Sequence, residues 1–181
     1  WPRSAYRGAT VENGAWPHQY PKQENYHDFA TFNDGGINDC IEVMLQAHEQ
    51  FGDSLSRKSL RRAARFIRIS QLAPPQPGWA QQYDAYLRPA WARSYEPPSV
   101  CTLVTLRNVE TLMDLYDHFD NEDDLEPIHD ALSWLRSVRL RNQKWPRFVE
   151  IGTNKPLYYD RGRIRVERWS ELSEERRRGY A

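Results

Sequence analysis

The stretch GGINDCIEVMLQAHEQFGDSLSRKSLRRAARFIRISQ, residues 35–71, decides the fold class. In its first half Ile37, Ile41, Met44, Leu45 and Phe51 recur at helical spacing and predict a helix over 35–51, ended by Gly52. In its second half Leu60, Ala63, Ala64 and Ile67 line one face and predict a helix over 56–71, with Ser56 as its N-cap. Further on, Val104, Val109, Leu112, Met113 and Tyr116 predict a third helix over 100–118. Ile128, Ala131, Leu132, Leu135 and Val138 predict a fourth over 124–138. Residues 1–33, with Pro2, Gly8, Gly14, Pro17 and Pro21, read as mostly irregular, and 72–98 as a long loop rich in proline and aromatics. The segment 147–168 holds short extended pieces, and Ser170 with Glu174 opens a last short helix. Strand signals are few, so the chain is mainly α.

Composition narrows the class. The 181 residues suit one domain spanning 1–181 with a real core. Formal charge is zero, 25 basic against 25 acidic residues, which removes any global electrostatic case for nucleic acid. No apolar run approaches the roughly 18 residues that a membrane span needs. Aromatics reach 13%, which suits a protein that stacks on sugar rings, although cores use the same residues. The chain begins WPRSAYRGAT, without Met or signal-peptide pattern, so it is expected to be mature, trimmed or incomplete. Cys40 and Cys101, far apart in sequence, decide nothing about redox compartment.

Charged runs have plain explanations. Arg57, Lys58, Arg61, Arg62, Arg65 and Arg68 could meet a polyanion, but read first as a solvated helix face. The acidic run at 120–124 lacks the glycine and glutamate of a helix–loop–helix calcium loop and suits the N-terminal end of a helix dipole. The five histidines show no paired-ligand spacing, so zinc is not expected.

The loop QQYDAYLRPAWARSYEPP, residues 81–98, holds Arg93 among aromatics and prolines. Pro89, Pro97 and Pro98 forbid a long regular element there. Arginine offers a planar fork that fits a carboxylate, so a fixed Arg93 suggests an anionic ligand. Pairing with Glu96 or a helix end to brace the loop is the competing reading.

Three further segments stand with this loop in order: NGAWPHQYP at 13–21, YHDFATFNDG at 26–35 and WPRFVEIGTNKPLYYDRG at 145–162. Together they resemble the family 10 pectate lyases from about residue 13 to the C-terminus, where SELSEERRRGYA is similar to the family's closing helix. The resemblance implies a helical-hairpin toroid of the (α/α)3 type with long loops forming a cleft. It implies calcium-dependent β-elimination of polygalacturonate, an acidic polysaccharide, by a monomer that is secreted or periplasmic. By the same resemblance Arg93 matches the base at carbon 5 of the +1 sugar, and Asp34 a carboxylate that helps hold Ca2+. Arg147 and Arg161 match arginines that grip substrate carboxylates, with Lys155 where many relatives carry arginine.

Each has another reading. Asp34 could cap the helix that follows it, and Arg147 and Arg161 could pair with Glu150 and Asp160. Trp16, Tyr20 and Trp91 could be core residues or sugar platforms, and Asp84 and Glu96 could orient the arginines.

Two departures from the family pattern stand out. Only about a dozen residues precede the match, without the TxDNGAT-like segment whose aspartate also serves the calcium site, so the ring is expected to be incomplete at its N-terminal side. VCTLVTLRN, residues 100–108, replaces the Ser/Gly-rich turn of relatives. A catalytically silent remnant that binds acidic polysaccharide, or serves as a scaffold, is therefore the alternative.

Overall fold

The structure is a computed structural model that describes residues 29–52 and 54–178. Four long helices carry the frame: α1 (Gly36–Phe51), α2 (Ser54–Ser70), α3 (Thr102–Phe119) and α4 (Leu125–Ser137). A short α5 (Glu174–Arg178) closes the described chain. Strands β1 (Ala30–Thr31) and β2 (Gln82–Tyr83) pair antiparallel, with Ala30 opposite Tyr83. A second antiparallel sheet runs β3 (Val100–Cys101), β4 (Phe148–Val149), β5 (Pro156–Asp160), β6 (Ile164–Val166) in that order. The chain is mainly α, as its periodicity predicts.

Helix α1 stops because Gly52 adopts φ 64° and its N–H returns to the His48 carbonyl at 2.7 Å. Helix α2 buries Leu60, Ala63, Ala64, Phe66 and Ile67 against α1 and α3. Ser56 lies inside α2 rather than capping it, since the helix is already formed at Ser54. In α3 the inward face is Val104, Thr105, Asn108, Val109, Leu112 and Leu115, whereas Met113 is half exposed. Val104, Val109 and Leu112 fall inward as expected, but Met113, 100° on from Leu112, turns outward and Leu115 takes the core side. Phe51 is likewise exposed, at the last turn of α1. Ser170 belongs to a 3-10 turn (Trp169–Glu171), and the last helix begins only at Glu174.

The 72–98 loop is not a surface loop over its first half. Trp79 is fully buried, donating from Nε1 to the Ile67 carbonyl at 2.7 Å, and its amide donates to Thr105 Oγ1 at 3.0 Å. Gln76, also fully buried, donates to the Glu150 carbonyl at 3.0 Å and to Asn154 Oδ1 at 2.6 Å. A buried loop survives only when its polar groups are paired in this way. Gly78 has no space for a side chain: a Cβ there would stand 2.6 Å from Val100 Cγ1 and 2.9 Å from Trp134 Cζ3.

The acidic run before α4 also does more than meet a helix dipole. Asp124 is buried and forms an ion pair with Arg68 of α2, while Glu122 and Asp123 remain exposed.

Candidate active site

The 91–98 loop folds on itself before its prolines. The Glu96 amide donates to the Arg93 carbonyl at 2.9 Å, and the Ala92 amide to the Glu96 carbonyl at 3.2 Å. This tight turn drives the Glu96 side chain inward, where it is completely shielded from solvent. Its Oε2 accepts from the Arg93 amide at 3.0 Å, and its Oε1 from Arg93 Nη1 and from Asn33 Nδ2, both at 3.3 Å. Arg147 Nη2 stands 3.7 Å from the same Oε1. One buried carboxylate therefore gathers two guanidinium groups and an amide from three separate segments, and the charged partners are what make its burial tolerable.

Asp34 approaches from the other side. It and Gly35 take consecutive left-handed backbone conformations, φ 52° and 78°, in the turn before α1. Aspartate tolerates this region better than most residues, whereas at Gly35 a Cβ would collide with the Asp39 carboxylate at 2.5 Å. The turn sends the Asp34 carboxylate away from α1, and Arg93 Nη2 donates to its Oδ2 at 2.6 Å. Asp34 makes no side-chain cap on α1, whose N-cap is Gly35. The Asp34 hydrogen bond holds the Arg93 guanidinium above even its ordinary high pKa, and the Glu96 charge adds to the effect. In this arrangement Arg93 is firmly cationic.

The β5–β6 hairpin docks its tip onto the same loop. The Arg163 amide donates to the Ser94 carbonyl at 2.8 Å, and the Gly162 amide to Ser94 Oγ at 3.1 Å. Arg161 lies over the Tyr95 ring, 5.1 Å from its centre, and grips Glu175 of α5 through Nη2 at 2.6 Å and Nε at 3.1 Å. The Arg161 pKa is raised, first by that hydrogen bond. Trp91 meets Tyr159 edge-on, with ring centres 5.2 Å apart, and the Arg163 guanidinium sits 4.7 Å from its ring centre.

The structure thus brings Arg93, Asp34, Glu96 and Arg147 into direct contact and sets Arg161 and Trp91 on the adjoining surface. Arg147 pairs with Glu96 and Arg161 with Glu175, whereas Glu150 is taken by Arg165 at 2.9 Å and Asp160 by the Ser173 amide at 2.7 Å. Lys155 lies in the turn before β5, six residues from Arg161, or roughly 20 Å along an extended chain. Asp84 is buried but serves Arg88, accepting from its Nε at 2.8 Å, rather than Arg93. Trp16 and Tyr20 lie outside the described residues. Sequence reasoning assigns no role to Asn33, Ser94 or Arg163. Asn33 adjoins Asp34 in the FND motif and was within reach, but the docking of the hairpin tip has no local signal.

Calcium takes about six to eight oxygen ligands. Among the described residues no three His, Cys, Asp or Glu side chains converge on one point. Asp34 is 62% exposed and has a carboxylate face open to an ion, while both Glu96 oxygens are engaged by protein donors. The described residues alone do not complete a calcium shell.

Comparison with known proteins places the chain in a family. The sequence profile of a family described as pectic acid lyase matches residues 8–144 and 141–181. The family 10 polysaccharide lyase from Cellvibrio cellulosa superposes with a TM-score of 0.72 at 22% identity. A mutant of that lyase, in complex with trigalaturonic acid, gives 0.73 at 22% identity. Both alignments cover 96% of this chain and 64% of the matched chain, so the chain spans just under two thirds of those structures. No curated protein sequence matches it. The shared fold is the helical toroid of family 10 polysaccharide lyases. With the profile running over nearly its whole length, the chain belongs to the pectic acid lyase family.

Proposed function

We propose that the protein is a pectate lyase that cleaves polygalacturonate by β-elimination, with Arg93 as the base. The single observation that carries this reading is the charge cluster around Glu96, in which Arg93 and Arg147 share one buried carboxylate and Arg93 also reaches solvent. In the reaction the proton on carbon 5 leaves, its electron pair forms the carbon 4–carbon 5 double bond, and the glycosidic bond at carbon 4 breaks. The departing oxygen takes up a proton. Charge develops on the carboxylate attached to carbon 5, and arginine forks held in advance are suited to stabilise it.

Arg147 and Arg161 are the groups we assign to substrate carboxylates, and Trp91 to the wall of the cleft beside them. Lys155 is assigned to a more distant carboxylate, as a point charge. Asp34 offers one ligand to calcium, which when bound supplies positive charge against the uronate carboxylates. For Arg93 to accept a proton its contact with Asp34 must be exchanged, because that contact favours the charged guanidinium. Such a substrate is extracellular, so secretion or a periplasmic location accompanies this reading, and no described helix is long and apolar enough to cross a membrane.

The same ion pair favours a second reading, a silent domain that binds acidic polysaccharide, because a doubly paired Arg93 stays charged and is a poor base. Ultraviolet absorbance of unsaturated products from polygalacturonate, with calcium and then with a chelator, separates the two. The lyase reading expects product with calcium and little with chelator. No product in either condition, with galacturonate oligomers still bound, establishes the second.

A further inference from the structure

Helix α2 contains six basic residues and no acidic one, in a chain whose overall charge is zero. Among the described residues, Arg68 alone of the six has an ion-pair partner, Asp124. Arg57, Lys58, Arg61, Arg62 and Arg65 are exposed, and no carboxylate among the described residues lies within ion-pair distance of them. Arg57 rests over the Phe119 ring, 6.0 Å from its centre. Elsewhere Arg88, Arg93, Arg147, Arg161, Arg165, Arg168 and Arg178 each have a carboxylate partner; what sets α2 apart is five exposed cations on successive turns of one helix with no acidic residue among them.

At 100° per residue the five cations fall within one broad stripe, and Arg57–Arg61–Arg65 and Lys58–Arg62 form columns one turn apart. Like charges at that spacing weaken a helix, so the arrangement opposes the stability of α2. With Ser54, these side chains line a groove of about 400 Å³. Past α2, Trp79 Nε1 donates to the Ile67 carbonyl at 2.7 Å, and two residues on Gln81 Nε2 donates to Asn33 Oδ1 at 2.5 Å, so the chain that leaves α2 leads to the Arg93 cluster.

We propose that the outer face of α2 is a second binding surface, for an extended acidic polysaccharide whose reacting segment lies at the Arg93 site. The ligand class rests on the lyase reading; the surface rests on the charge pattern. Arginine forks match a chain bearing one carboxylate per ring. The only aromatic residue of α2, Phe66, is buried, so the stripe offers no platform on which bases could stack as they do in single-stranded nucleic acid sites.

The test compares wild type, the variant Lys58→Gln/Arg61→Gln/Arg62→Gln/Arg65→Gln, and an Arg61→Lys/Arg62→Lys/Arg65→Lys variant that keeps the charge. Binding of long polygalacturonate is measured in chelator at low and high salt, and turnover of trigalacturonate in calcium. The glutamine variant should bind the polymer at least tenfold more weakly, with a flatter salt dependence and unchanged trimer turnover, while the lysine variant stays within about threefold of wild type. Equal polymer affinity in the glutamine variant overturns the proposal. So does tighter wild-type binding to duplex DNA or to anionic phosphatidylserine vesicles than to polygalacturonate, lost in the glutamine variant. Absence of turnover in wild type, with polymer binding still dependent on α2, overturns the lyase reading and leaves the surface standing.

Discussion

Arg93 Nη2 and Asp34 Oδ2 lie 2.6 Å apart although 59 residues separate them in the chain. The contact joins the turn that opens α1 to the loop that precedes β3, and it favours the charged form of the residue proposed as base. Removing either partner therefore has different consequences. Arg93→Ala should abolish turnover of polygalacturonate, while affinity for galacturonate oligomers in chelator falls no more than a few fold. Near-native rates in that variant would show that another group removes the proton.

Glu96→Gln tests the buried centre of the cluster. The variant withdraws a charge that Arg93 and Arg147 share and leaves the latter largely inside the protein. A loss of about 2 kcal/mol in urea unfolding is expected, below the roughly 3–5 kcal/mol for a fully broken buried pair because Arg93 still has Asp34. Activity should fall with it. A variant as stable as wild type would mean that Glu96 does not hold the loop.

Gly78→Ala probes the threaded part of the 72–98 loop. The added methyl group would meet Val100, Thr105 and Trp134, all within 2.9 Å of its ideal position. Overpacking of this kind costs about 1–3 kcal/mol, so the thermal midpoint should drop by several degrees. An unchanged midpoint would show that the packing relaxes freely around Gly78.

The acid limb of stability should report two carboxylates outside the site. Hydrogen bonds, first from the Ser173 amide, hold Asp160 below the usual carboxylate range, and Thr153 and then Arg165 do the same for Glu150. Because both folded-state pKa values are depressed, their contribution is present above about pH 4 and is lost as pH falls through the folded values. Urea unfolding of wild type and of Glu150→Gln/Asp160→Asn should therefore differ at pH 7, and the difference should shrink as pH falls below about 4. A gap that stays constant over that range contradicts the assignment.

The helices were legible in the sequence because burial repeats every 3.6 residues, and α1, α2 and α4 lie within two residues of the expected limits. Their caps were less so: a serine two residues inside α2 looks no different from one at its start. The buried course of 76–84 was not legible, since what permits it is the pairing of Gln76 with Asn154 and of Trp79 with Thr105 across long stretches of chain. At the site, family resemblance brought Asp34, Arg93 and Arg147 to attention, and all three touch one another directly or through Glu96. Their partners could not be read from spacing, because a salt bridge depends on which turns converge. Arg147 chose Glu96 rather than Glu150 for that reason, and Arg161 chose Glu175 rather than Asp160.

The docking of the β5–β6 tip on Ser94 makes one backbone amide a sentinel for the Arg93 loop. The Arg163 N–H is tied to the Ser94 carbonyl, one residue from Arg93, so its hydrogen exchange can proceed only when hairpin and loop part. Protection at this amide would rise if ligand clamps the two together and vanish if the loop swings out to admit a chain. A single exchange rate, read far along the sequence from Arg93, thus times the opening of the site.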